Sequence, residues 1–252
     1  MIKESLVYAF KKSTMYRANM ISWFLADLAL YISTFLCYFI LGKSVSNFGG
    51  YSANEILLYI SCFFLVNNIY AIFFSESVSK YGGSIINGLL DYELLKPKSL
   101  VVNFIIKNIN FAPALSTPLL MILNYYCLKL CNANISIIYI LSIICGSLTM
   151  GIMFFIVYSI ALFGIRAEAI SNIVVQLLTI GEKPDSVFPK AIQNLLLYVI
   201  PVFLFSALPT RIALCKIDSL NLLWIFLAPV IYIFILKVIM SLGLKKYQSG
   251  VE

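Results

Sequence analysis

Six apolar stretches recur along the chain, each at or near the length that carries an α-helix across a bilayer. They cover residues 20–42 (MISWFLADLALYISTFLCYFILG), 55–76, 100–125, 135–163, 191–209 and 221–242. About 20 apolar residues span the hydrocarbon, and in lipid each backbone polar group must be satisfied within the protein. Runs of this kind restrict the chain to helices. Only 12% of residues are charged and 62% are hydrophobic, whereas a soluble domain carries roughly 25% charged residues. The expected fold is therefore an all-α integral membrane protein, a single transmembrane domain over 1–252 with six transmembrane helices. The first run lacks a small-x-small cleavage signal and is read as a retained span.

Lysine and arginine set the orientation. Segments 1–19, 77–99, 164–190 and 243–252 carry twelve of them, against four in 43–54, 126–134 and 210–220. The positive-inside rule then makes both the N- and C-termini cytoplasmic. Two cytoplasmic segments are amphipathic. Residues 1–19 put Ile2, Leu6 and Phe10 on one side, with Lys3, Lys11 and Lys12 available to anionic headgroups. Residues 168–180 (EAISNIVVQLLTI) align Ile170, Ile173, Val174, Leu177 and Leu178. Both suit an amphipathic interfacial helix, or an ordinary anchoring loop helix.

The net charge of +7 is scattered between apolar runs rather than gathered into a patch with aromatics, so nucleic acid is not an expected partner. The sequence has no GxxxxGK[ST] phosphate loop, no GxSxG, no HExxH and no histidine. The six cysteines have no partner ligands nearby, which argues against a zinc site or a disulfide framework. No catalytic or metal site is expected, and this chain should bind no cofactor. Work across a membrane then draws on a partner or an ion gradient.

One segment stands out against the apolar background. In 80–99, KYGGSIINGLLDYELLKPKS, a flexible Gly82-Gly83 precedes Ile85, Ile86, Leu89 and Leu90 at helical spacing, followed by Asp91, Tyr92, Glu93 and Leu94. Pro97 ends any helix there. A short cytoplasmic helix with an apolar ridge and charged flank suits docking of another protein. Folding back onto the membrane interface is the alternative.

This arrangement resembles the membrane subunits of ABC-2 type exporters, and more closely a six-span branch described as ABC-2 family transporter protein. Three stretches carry the likeness: GGSIINGLLDYELLKPKSL; PDSVFPKAIQNLLLYVIPVFLFSALPTR, with its spaced prolines; and the ending GLKKYQSGVE. The resemblance implies that 80–99 is the coupling-helix loop, seated in a cleft of a separate ATPase. Ile85, Ile86, Leu89 and Leu90 would fill that cleft, and Asp91 and Glu93, with Lys96 and Lys98, would orient the partner. It also implies two copies of an ATP-binding-cassette ATPase carrying ATP and Mg. A second permease, either this chain itself or a sister, would complete the complex with membrane lipid around it in a bacterial plasma membrane. The family's alanine after the last proline is Thr210 here.

Polar residues inside the runs are candidate pathway residues. Asp27 and Lys107 lie at similar depth and are expected to form an ion pair, with snorkelling of Lys107 as the alternative. Asn67, Asn68 and Asn110 either line a cavity or bond helix to helix. Pro201 and Pro209 are expected to kink the fifth run. The leading reading is the permease subunit of an ATP-driven exporter of hydrophobic or amphipathic substrates: peptide, lipid-linked molecule or drug. An ion-coupled secondary transporter and a non-transporting scaffold or immunity protein are the competing classes.

Overall fold

The computed structural model describes residues 17–44, 50–96, 99–164 and 167–247, together with Val7, Lys11 and Met15. The amphipathic helix expected over 1–19 lies almost wholly outside the described residues, as do Pro97, Lys98, Arg166 and the last five residues of the chain. Helix α1 (Arg17–Ser44) leads through a turn at Gly50 into α2 (Ala53–Ile86), which holds the bundle together. The Ser52 N–H donates to Glu55 Oε2 at 2.9 Å and fixes the start of α2. At 34 residues α2 is far more buried than α1, and nearly every other element can be placed by what it touches along it.

The expected single span over 100–125 is instead two helices, α4 (Leu100–Lys107) and α5 (Thr117–Leu130), joined by a 3-10 turn at Ala112–Leu115. Short helix α3 (Leu90–Leu94) precedes them. Pro113 and Pro118 supply no N–H to a continuous helix. The freed backbone groups find partners on α2, where a π-turn at Ala71–Ser75 faces the break. Asn110 N–H donates to the Ile72 carbonyl at 2.9 Å, and Asn68 Nδ2 donates to the Pro113 carbonyl at 3.0 Å. Non-helical backbone at membrane depth is tolerated when protein satisfies it in this way. The broken pair runs antiparallel to α2 along its whole length. The Phe104 ring meets Tyr81 at 5.5 Å near one end, and Asn54 Nδ2 reaches the Leu130 carbonyl at 3.3 Å at the other.

Helix α6 (Ile137–Ser159) runs parallel to α2, from Tyr139 beside Cys62 to Ser159 beside Tyr81. The two helices interlock through reciprocal glycines. A Cβ on Gly151 of α6 would lie 2.4 Å from the Phe74 ring of α2, and one on Gly82 of α2 would lie 2.1 Å from the Tyr158 ring of α6. Without a hydrophobic drive between helices in lipid, such close approach is a main source of association. A 3-10 turn, Ile160–Phe163, ends at Gly164 in the left-handed conformation (φ 88°).

Beyond Gly164 the structure departs from the sequence expectation. Helix α7 (Ala167–Gly181) buries Ile170, Val174 and Leu177 in the core. It climbs from Tyr158, near the far end of α2, back to the first turns of α2. There Tyr59 Oη donates to the Lys183 carbonyl at 2.8 Å and Tyr38 Oη to the Glu182 carbonyl at 3.0 Å. Segment 164–190, expected at one face, therefore joins both ends of the bundle.

The fifth run, 191–209, does not form one straight helix. Helix α8 (Lys190–Asn194) passes through a π-turn at Leu195–Val199, bends by 77° at Pro201, and continues through a 3-10 turn into α9 (Ala207–Ala213). Leu204 reaches Gly146 and Val66, about 20 Å along α2 from its start. Arg211 then returns to the level of Tyr51. This proline hairpin enters and leaves at the same end of the bundle. Of the two expected kinks, Pro201 sits at the bend. Pro209 lies in the first turn of α9, where a missing N–H breaks no helical bond.

Helix α10 (Ser219–Lys246) closes the bundle; Lys216, just before it, pairs with Glu55 at 2.6 Å. Among the described residues, four helices are long and apolar enough to cross a membrane: Met20–Ser44, Ala53–Ile86, Ile137–Phe163 and Ser219–Lys246. The bent pair makes a fifth if it counts as one span.

Candidate functional site

Helix α2 is about 51 Å long at 1.5 Å per residue, well beyond the ~30 Å hydrocarbon thickness. Its last turns carry the charged hairpin. Gly88, with φ at 66°, turns the chain between α2 and α3. The sequence treats the leucine-rich ridge as one surface, but the fold splits it in two. Ile85 and Leu90 turn inward and join the main core, so they hold the hairpin onto the bundle. Ile86, Leu89, Tyr92, Leu94 and Leu95 face outward, with Tyr92 70% and Leu95 83% exposed. Periodicity marks the apolar positions, whereas Gly88 changes which of them share a face.

Glu93 folds back instead of facing outward. Its carboxylate accepts from Asn103 Nδ2 at 2.7 Å and pairs with Lys96 at 2.7 Å and Lys107 at 3.0 Å. Burial alone would raise this carboxyl, but hydrogen bonds from Lys96 and Lys107 outweigh it and hold it below its ordinary value. The expected Asp27–Lys107 pair is thus replaced by Glu93–Lys107, because α4 is short and Lys107 lies within reach of the hairpin. A depressed carboxyl stabilises above its unfolded pKa, and that contribution is lost as pH falls through the folded one. Both lysines are partly exposed, so Glu93→Gln should cost about 1 kcal/mol or less. The variant's melting temperature, compared with the parent's over a falling pH series, should converge with it in acid. A constant gap at every pH would show that the charge is not what matters.

Tyr247, just past α10, also reaches the hairpin. Burial and the nearby Asp91 carboxylate raise its hydroxyl pKa. Tyr81 anchors the base of the hairpin, with its ring against Phe104 and Phe155 and its hydroxyl 3.0 Å from Ser159. The hairpin is therefore rigidly joined to α2, α4, α6 and the end of α10.

Asp27 lines a cavity of about 380 Å³ with Trp23, Ser75, Glu76, Ser79 and Asn110, beside the π-turn of α2. Lys80 pairs with Glu76 at 2.6 Å and donates to Asn108 Oδ1 at 3.0 Å. Asn110 is thus a cavity residue. Asn68 is a helix-to-helix bond, also donating to Ser116 Oγ and accepting from Thr117 Oγ1. Asn67, next to it, is only partly buried.

A buried polar cluster escapes the sequence reading altogether. Asp185 is 3% exposed, pairs with the Arg211 guanidinium and accepts from Tyr51 Oη at 3.0 Å. Ser206 Oγ donates to the Gly181 carbonyl at 2.9 Å. Together these bonds tie the proline hairpin to α7 and to the start of α2. The one local signal was the pair of charges flanking a proline-rich apolar run.

The model of the family described as ABC-2 family transporter protein matches residues 28–250. The chain belongs to the ABC-2 transporter family. It is accordingly a multi-pass membrane permease of the ABC transporter class, a transport component of a generally non-catalytic kind. Membership implies pairing of the permease with an ATP-binding-cassette ATPase. No curated protein and no solved structure matches the chain. Within the permease, the outward face of the charged hairpin is an exposed apolar surface at the end of the longest described helix.

Proposed function

We propose that the chain is the transmembrane subunit of an ATP-driven exporter in a bacterial plasma membrane, moving a hydrophobic or amphipathic substrate out of the cytoplasm. The observation that carries this reading is the hairpin: an exposed apolar face, rigidly backed, on the end of a helix that outreaches the bilayer. ATP and Mg belong to the partner, with one ATPase copy for each of two permeases. The weakly buried α1 leaves a long apolar face for a second permease, this chain or a sister.

The topology that fits is six crossings: α1, α2, the broken α4–α5 pair, α6, α7 and α10, with the proline hairpin dipping in from the far side. Both termini then share the hairpin's side. By sequence segment, 1–19, 77–99, 164–166 and 243–252 carry ten Lys and Arg against six in 43–54, 126–134, 183–190 and 210–220, and the positive-inside rule then favours a cytoplasmic hairpin end. The margin is smaller than the sequence segments alone gave, because Lys183 and Lys190 change sides.

The test is co-expression with a P-loop ATPase encoded beside this chain. The chain alone should hydrolyse no ATP. The co-purified complex should hydrolyse it and drive uptake of an amphipathic dye into inside-out vesicles. Uptake by the chain alone, driven by an ion gradient, would favour a secondary transporter. A stable complex without ATP-dependent movement of any substrate would favour a scaffold. In a cysteine-free background, single cysteines at positions 183 and 216 should label from one face and those at 96 and 246 from the other. Labelling of 183 together with 96 would remove the crossing assigned to α7.

A further inference from the structure

A second cavity, of about 700 Å³, opens between α2, α4, α6 and α10 on the hairpin half of the bundle. Its volume falls in the ~300–1,000 Å³ range of ligand sites. Its polarity is ordered along the bundle axis. Ile105, Leu148 and Ile233 line the end toward mid-membrane, while Ser99, Lys237 and Ser241 lie toward the hairpin end. Lys237 is nine residues before Lys246, so it stands about 14 Å inside the end of α10. It is exposed at that depth, and among the described residues no carboxylate pairs with it or lines the cavity. A lone cation there is costly unless a counter-charge reaches it. The groove is apolar toward mid-membrane and cationic toward the hairpin end. A lipid of the adjoining leaflet has the same order: tail toward the midplane, headgroup toward the aqueous edge.

We infer that this groove is a binding site for an anionic phospholipid, with an acyl chain along Ile105, Leu148 and Ile233 and the phosphate on Lys237 and the Ser241 hydroxyl. The charge selects an anionic headgroup over a zwitterionic one, and the groove selects a tailed molecule over a free phosphate. Ser99 is joined to the charged hairpin through two residues, so the occupied site would sit directly beneath it.

Native mass spectrometry of the purified chain in neutral detergent tests this, with phosphatidylglycerol and phosphatidylcholine of equal chain length as probes. The parent should retain phosphatidylglycerol at least tenfold better than phosphatidylcholine. Lys237→Gln should lose that preference and Lys237→Arg should keep it. Leu148→Trp, which fills the apolar end without touching the cation, should lower retention of phosphatidylglycerol while Lys245→Gln does not. Equal retention of the two lipids by the parent overturns the inference in favour of ordinary boundary lipid. Unchanged retention by Lys237→Gln or by Leu148→Trp overturns it as well, as does equally tight binding of glycerol phosphate.

Discussion

Leu89→Asp combined with Leu95→Asp should detach the ATPase from the permease and abolish ATP-driven transport, while the membrane bundle should still insert and purify as a single species. Both side chains face outward, so neither change disturbs the core. Each places a carboxylate where a dry cleft needs an apolar anchor. A disrupted anchor typically costs about 2 kcal/mol or more of binding, and one such loss is roughly thirtyfold in affinity. Leu90→Asp should behave differently. Leu90 is fully buried, and a charge there destabilises the hairpin itself, so that variant should lose folded yield before it loses its partner. Co-purification of tagged variants with the ATPase, beside size-exclusion profiles, separates the two outcomes. A well-folded double variant that keeps the ATPase at parental stoichiometry would show that force enters elsewhere.

Arg211→Met should be the most destabilising single change at the opposite end. It leaves Asp185 buried without its counter-charge, and breaking a buried pair costs about 3–5 kcal/mol. In a chain of this size that is a fall in melting temperature on the order of 10 °C. Asp185→Asn should cost less, since Tyr51 keeps a hydrogen-bond partner, and the double change should recover part of the Arg211→Met loss. Tyr51→Phe removes one hydrogen bond, worth about 1 kcal/mol. Thermal melts of the four variants in one detergent give the coupling directly. Losses that merely add would mean that Asp185 and Arg211 do not act as a pair. Because this cluster ties the proline hairpin to α7, Arg211→Met should also raise cysteine labelling at position 203, now fully buried.

Much of this protein could be read along the chain. Apolar run length fixed the membrane class and the long helices α1, α2, α6 and α10, because a bilayer requires a run of that length whatever lies beside it. The stretch from Gly88 to Leu94 announced the hairpin. Tertiary structure decided what depended on neighbours. The third run breaks because Asn68 and the Ile72 carbonyl of α2 satisfy a backbone that its own prolines leave open. Helix α7 looked like an interfacial helix because Ser171, Asn172, Gln176 and Thr179 stay exposed while Ile170, Val174 and Leu177 enter the core, and periodicity cannot say that the carbonyls of Gly181, Glu182 and Lys183 will meet Ser206, Tyr38 and Tyr59 at the other end of the bundle. Lys107 chose Glu93 over Asp27 because α4 ends after eight residues. The ridge of Ile85, Ile86, Leu89 and Leu90 divided into anchors and an exposed face because one left-handed glycine rotates the second half against the first. Hydrophobicity is a property of a segment and is legible alone. The partner of a polar group is a property of packing, and it exists only once the helices have met.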